Sequence, residues 1–179
     1  TIKEFESIRL KRIEQKQKKS IDDWNIPEIE MFTDSHIKKD NYKKCIQIPC
    51  YFKEDSTLEK EFTEEYLEIN SDIEFWYKNW VSNKIYFWIL YTFEWKNSVF
   101  YPDFIVKYKD WNIGIFDTKA WMTASEMKTK FKAEALQEYC KNKDNIFWWI
   151  VIKNWTSFFL NLWERYDYVN DNLAGWNRM

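Results

Sequence analysis

The chain has 179 residues, 45% of them hydrophobic and 21% aromatic, and a formal net charge of −2. That length suits one domain with a substantial core, the aromatic content argues against a disordered chain, and a near-neutral field cannot by itself attract a polyanion. No apolar run approaches bilayer length, the charged start does not read as a signal peptide, and a single histidine (His36) excludes any His-pair mechanism or His-rich metal site.

The chain opens on Thr1 and is expected to be a piece of a longer protein. Residues 3–20 are rich in Lys, Arg, Glu and Gln with sparse apolar points at Ile8, Leu10 and Ile13, which predicts a solvated helix at the tail of a preceding domain. Pro27, Pro49 and short mixed runs over 21–55 read as linker, with a strand near 45–52. A helix is predicted from Ser56, where Ser56 and Glu59 form a Ser-x-x-Glu capping pattern and Leu58, Phe62 and Tyr66 line one face. Strands follow at about 73–79, 84–93, 98–107 and 112–119. A second helix is predicted from Thr123 to about 142, with Met127, Phe131 and Ala135 as its buried stripe. Strands at 146–153 and 156–162 precede a polar tail over 166–179. Helix, antiparallel strands, helix and strand in that order predict an α/β sandwich around a central mixed sheet. Cys45, Cys50 and Cys140 are odd in number and lack close metal-ligand spacing, which predicts reduced thiols in a cytoplasmic setting.

Chemistry concentrates in two of the strands. Strand alternation puts Val99, Tyr101, Asp103 and Ile105 on one face of the first, and Ile115, Asp117 and Lys119 on one face of the second. Paired as a hairpin, the two strands would bring two carboxylates and an ammonium together. Such carboxylates repel one another and are costly to desolvate unless a cation joins them. An oxygen-only donor set suits a hard ion such as Mg²⁺, with Mn²⁺ as a substitute, and predicts a metal-dependent phosphodiester-cleaving site. The plain alternatives are two solvated strand-end aspartates and, for Lys119, an edge-strand lysine that discourages aggregation.

Pro102-Asp103, thirteen intervening residues, then Asp117-Thr118-Lys119 resembles the PD-(D/E)XK nuclease superfamily. The wider order is Leu58-Glu59-Lys60-Glu61-Phe62, Phe75-Trp76-Tyr77-Lys78-Asn79, Phe100 to Val106, Gly114 to Lys119, and Lys132-Ala133-Glu134-Ala135-Leu136-Gln137. It resembles the C-terminal endonuclease domain of type III restriction subunits and related DEAD-like helicase–nucleases, over roughly residues 55–165. The resemblance implies a restriction-endonuclease-like three-layer α/β/α sandwich and a Mg²⁺-dependent DNA endonuclease. It implies Asp103 and Asp117 as metal ligands, the Thr118 carbonyl as a third oxygen, and Lys119 as the residue orienting water or stabilising phosphate charge. Glu59 would support the metal or orient water, with Glu61 and Glu64 as the next candidates and helix capping as its structural alternative. Gln137, with Lys132 and Tyr139, would contact the active site or DNA from the second helix, although a solvated face explains these residues nearly as well. Lys128, Lys130 and Lys132 form no single stripe. No phosphate-binding Gly-x-x-x-x-Gly-Lys-Ser/Thr loop occurs, so a helicase or translocase motor is expected elsewhere in the parent chain or on a partner. A methyltransferase subunit would then read the target sequence. The rivals are a repair or recombination nuclease of the same superfamily and a non-catalytic nucleic-acid-binding or docking module.

The glycine count is anomalous. Average usage of about 7% would give roughly a dozen glycines; there are 2, against 12 tryptophans. Trp80, Trp111 and Trp155 follow Asn or Asp between apolar runs, where Asn-Gly or Asp-Gly is the usual hairpin pair. Trp121 stands where the domains the chain resembles often carry a small residue, whereas Trp76, within the matching Phe75-to-Asn79 string, reads as genuine. The pattern predicts that several tryptophans are UGA codons that the source genome reads as glycine; biased drift toward tryptophan is the alternative.

Overall fold

A computed structural model of the chain describes residues 24–28, 32, 35–81, 85–161, 166, 173 and 175–179. The helix expected over 3–20 lies outside the described residues. The fold is mixed α/β, with the elements β1 (His36–Lys39), β2 (Cys50–Lys53), α1 (Thr57–Phe62), a π-helical turn (Thr63–Leu67), β3 (Ile73–Lys78), β4 (Ile89–Phe93), β5 (Lys96–Phe100), β6 (Phe104–Tyr108) and β7 (Ile113–Lys119), followed by α2 (Trp121–Ala124), α3 (Met127–Cys140), β8 (Ile146–Asn154), β9 (Ser157–Asn161) and β10 (Trp176–Arg178). Six strands form the main sheet in the order β10-β9-β8-β7-β6-β3, while β1-β2 and β4-β5 are separate two-stranded sheets. Among the described residues, the β7–β8 pair is the one parallel pair of the main sheet.

Alternation along β7 divides the interior. Ile115 belongs to a core with Ala133, Leu136 and Cys140 of α3 and with Trp148, Ile150 and Ile152 of β8. Phe116 belongs to another, with Phe62 of α1, Phe52, Trp76, Phe104 and Val151. The Phe62 ring meets Phe104, Phe116 and Phe158 at centroid distances of 5.8, 5.5 and 5.5 Å. Elements outside 55–165 join these cores: Tyr42, Cys45, Cys50 and Phe52 on one side, Trp176 on the other. The other edge of β3 is engaged as well, because Ile46 N donates to Trp76 O and Trp76 N to Lys44 O, both at 2.9 Å.

Three expectations about local structure are corrected. The predicted strand 98–107 is two strands, β5 and β6, interrupted at residues 101–103 around Pro102, and β5 pairs with β4 while β6 pairs with β3 and β7. Proline fixes φ and lacks the N–H a ladder needs, so the chain changes sheet there. The second predicted helix is also divided. After the short α2, Glu126 takes the N-cap position of α3, and Thr129 Oγ1 donates to Thr123 O at 2.7 Å across the break. Its buried residues are Thr129, Ala133, Leu136 and Cys140. Met127 and Phe131 of the expected stripe are 60% and 36% exposed. Both sets have helical spacing, so periodicity alone could not choose between them. Finally, the capping box is not formed: Ser56 Oγ donates to Lys53 O at 2.7 Å, and Ser56 makes no side-chain cap bond.

The tryptophans separate into two groups. Among the described residues, the non-glycine positions with positive φ are Glu94 (48°), Trp95 (63°), Trp111 (73°) and Trp155 (55°), and the three tryptophans are 99%, 77% and 93% exposed. Glu94-Trp95 is the two-residue loop between β4 and β5, with both residues at positive φ as a type I′ turn demands. Trp155 opens the two-residue loop between Asn154 and Ser157, the place glycine takes in a type II′ turn. Trp80 and Trp121 are not in this conformation: Trp80 is 7% exposed and Trp121 packs against the α3-side core. Trp76 is fully buried and its Nε1 donates to Glu68 Oε1 at 2.7 Å. Gly114 is needed for a different reason. A Cβ there would lie 2.6 Å from the Phe116 ring and 3.1 Å from those of Trp149 and Tyr108.

Candidate active site

The β6–β7 hairpin pairs Phe104 with Phe116, so Asp103 and Asp117 fall opposite one another just beyond the last paired residues. Asp103 Oδ2 accepts two hydrogen bonds at 2.7 Å, one from Thr118 N and one from Thr118 Oγ1. Thr118 was expected to contribute only its carbonyl; its hydroxyl and amide also fix the first aspartate. β7 lies between β6 and β8, so Lys119 is not an edge-strand lysine. Its ammonium forms an ion pair with Asp117 Oδ2 and donates to Thr118 O at 3.2 Å.

Asp117 is 1% exposed, and among the described residues its Oδ2 finds no well-formed hydrogen bond, leaving the Lys119 ammonium as its compensation. Burial pushes the carboxyl up to about 6; Lys119 opposes this and the nearby Asp103 charge adds to it. For Lys119, burial favours loss of the proton, but the carboxylates of Asp117, Asp103 and Glu59 together hold it above the ordinary lysine value. The two strand-end aspartates are therefore one electrostatic unit with Lys119, not two solvated groups.

Glu59 enters from α1. Its Oε2 pairs with Lys78 Nζ at 3.0 Å, with the glutamate side chain 22% and the lysine 5% exposed. Burial raises its pKa, Lys78 lowers it, and it feels the charges of Asp103 and Lys119. Glu61 and Glu64 point to other partners, Lys153 at 3.1 Å and Lys39 at 3.4 Å. Of the first-helix glutamates considered, Glu59 is the one coupled to the aspartates. Gln137 is half-buried on α3, five residues beyond Lys132.

Two residues of this site were missed from the sequence. Lys78 sits in a strand whose pattern gives no sign of a buried cation. It also donates to Asn79 O at 3.1 Å and lies 5.1 Å from the Phe104 ring centroid. Asn79, read as part of a turn, is buried instead. Its amide donates to Phe87 O and Pro102 O at 2.8 Å and accepts from Phe87 N at 3.0 Å, while its backbone N donates to Asp103 O at 2.8 Å. Asn79 thus ties Pro102-Asp103 to the end of β3.

The donor chemistry suits a hard cation. Asp117 offers a buried oxygen whose compensation is one ammonium, Asp103 keeps Oδ1 clear of the Thr118 bonds, and the Thr118 carbonyl follows Asp117 directly in the chain. Among the described residues, no three acidic, imidazole or thiol groups stand as a ready-made metal cluster. Mg²⁺ does not require one, because it keeps several waters and commonly binds one or two carboxylates together with substrate phosphate. No family model, curated protein or solved structure matches the chain.

Proposed function

We propose that this chain is a Mg²⁺-dependent DNA endonuclease domain with a restriction-endonuclease-like three-layer fold, the cleavage module of a type III restriction-like helicase–nuclease. The observation that carries the reading is the joining of Asp103, Asp117 and Lys119 at one end of the β6–β7 hairpin, with Glu59 coupled to them from α1. The packing of α1 and α3 into the two different cores supports the layered arrangement. DNA is the substrate, and the motor and a methyltransferase specificity subunit are partners outside this stretch. A cytoplasmic setting suits three buried free thiols, and no helix among the described residues is long and apolar enough to cross a membrane.

Asp103, Asp117 and the Thr118 carbonyl would hold the ion, with Glu59 supporting it or its water. When bound, Mg²⁺ (or Mn²⁺) lowers the pKa of water and polarises the phosphoryl oxygen. The chain's own residues do the remaining work. Thr118 holds Asp103 through two bonds, so one carboxylate keeps its orientation. Lys119, a protonated and largely buried cation, can orient the attacking water or offset charge growing on the phosphate. Lys78 keeps the partly buried Glu59 compensated.

Lys119→Met tests this division of labour on end-labelled duplex DNA. Removing one preorganised charge of this kind is expected to lower the cleavage rate by about 10²–10³-fold while circular dichroism stays unchanged. A folded Lys119→Met protein that cleaves at the unmutated rate contradicts the assignment.

A further inference from the structure

The bend that carries Asp103 is held from outside its own strand. Residues 101–103 lie between β5 and β6, where the chain passes from one sheet to the other, and Pro102 brings no N–H to a ladder. Two neighbours hold the bend instead. Thr118 of β7 grips the carboxylate. Asn79, just past the end of β3, grips the main chain: its backbone N donates to Asp103 O and its Nδ2 to Pro102 O, both at 2.8 Å. Its amide is fully engaged, since Nδ2 also donates to Phe87 O at 2.8 Å and Oδ1 accepts from Phe87 N at 3.0 Å. Turned over, the amide would set its oxygen against two carbonyl oxygens, so the network fixes its orientation. Asn79 is 2% and Phe87 4% exposed, and the Phe87 ring meets Tyr139 of α3 at a centroid distance of 5.6 Å. The support for Asp103 therefore reaches into the core on the α3 side. In these bonds the Asn79 side chain meets main-chain groups alone, so it acts on where Asp103 sits and not on its charge.

We infer that Asn79 is a positioning residue that sets the affinity of the site for its metal ion, by fixing the main chain that carries Asp103. The inference rests on the metal-dependent reading above and adds to it a residue that acts without touching the ion. Mg²⁺ demands near-ideal octahedral geometry, so a ligand displaced at its backbone loses affinity even when the fold survives. Loss of an outer partner of a metal ligand typically lowers affinity by about 10–100-fold.

The test uses the full chain without DNA and Mn²⁺ as the probe, its binding read from the loss of the free-ion electron paramagnetic resonance signal. Asp117→Ala should abolish this binding, which assigns the ion to the β6–β7 site. Asn79→Ala should raise the Mn²⁺ dissociation constant by about 10–100-fold. On duplex DNA it should raise the half-saturating Mg²⁺ concentration by a similar factor, with the cleavage rate recovering at saturating metal. Leu67→Ala, a core truncation in the π-helical turn, should lower the thermal midpoint and leave the dissociation constant alone, as a merely structural Asn79 would. Asn79→Asp is the second variant, read should Asn79→Ala not fold. It keeps the acceptor for Phe87 N, loses both Nδ2 donors, and adds a negative charge that by itself tightens cation binding. Weaker binding in Asn79→Asp therefore reports lost position. A folded Asn79 variant that binds Mn²⁺ as tightly as the unmutated chain overturns this inference and leaves the nuclease reading intact. An unmutated chain with no Asp117-dependent Mn²⁺ binding and no cleavage overturns both.

Discussion

Asp117→Asn is expected to abolish metal-dependent cleavage and, in the same protein, to remove a pH-dependent loss of stability. The buried carboxyl titrates at about 6, raised from an ordinary 3.8. A carboxyl raised on folding contributes stability that is fully present below its unfolded value and lost as pH rises through its folded value. The unmutated protein should therefore lose up to about 3 kcal/mol from this group between pH 4 and 7, since a tenfold change in proton affinity is worth about 1.4 kcal/mol. Lys119 is held above the ordinary lysine value and stays protonated throughout this window. Guanidinium unfolding in EDTA at several pH values gives the answer. The stability of Asp117→Asn, relative to the unmutated chain, should rise across that window. Parallel stability curves would contradict the burial cost assigned to Asp117, and retained cleavage would contradict its role.

The second large effect concerns the turns. Replacing Trp95, Trp111 and Trp155 together by glycine is expected to stabilise the fold by about 2–3 kcal/mol. Each left-handed non-glycine residue costs about 1–2 kcal/mol, against which glycine loses roughly 0.5–1 kcal/mol of extra chain entropy. Trp111 gives back part of its cost through Lys107, whose ammonium lies 4.5 Å from the indole centroid. For a chain of this size the net gain corresponds to a melting temperature higher by roughly 5–10 °C. Trp80→Gly should act in the opposite direction, because that indole packs against Phe32 and His36 at 5.0 and 5.1 Å. A triple variant no more stable than the parent contradicts the glycine reading of these turns, as would TGG codons at 95, 111 and 155.

The tryptophan positions show what sequence could and could not reveal. Turn chemistry identified Trp111 and Trp155, since Asp or Asn before them marks the hairpin. It missed Trp95, preceded by Glu94, and misread Trp80, whose Asn79 is a buried staple and not a turn residue. Period-two alternation was enough to pair Asp103 with Asp117 and to put Lys119 on the Asp117 side. The same alternation extended one strand through Pro102, where the chain leaves one sheet for another. Helical spacing located α3 but not its buried face, which depends on what β8 and the β4–β5 hairpin present to it. The burial of Lys78 was invisible for a related reason. Burial of a lysine is set by its tertiary neighbours, and nothing in its local sequence encodes it.

Conversion of supercoiled plasmid to nicked circle reads metal-dependent cleavage at the Asp103–Asp117 site, with purified chain in Mg²⁺, in Mg²⁺ plus excess EDTA, and with Asp117→Ala. Nicking is expected from the unmutated protein in Mg²⁺ alone, and none in the other two reactions. A folded, unmutated chain that leaves the plasmid supercoiled in both Mg²⁺ and Mn²⁺, or nicking that persists in Asp117→Ala, would contradict it.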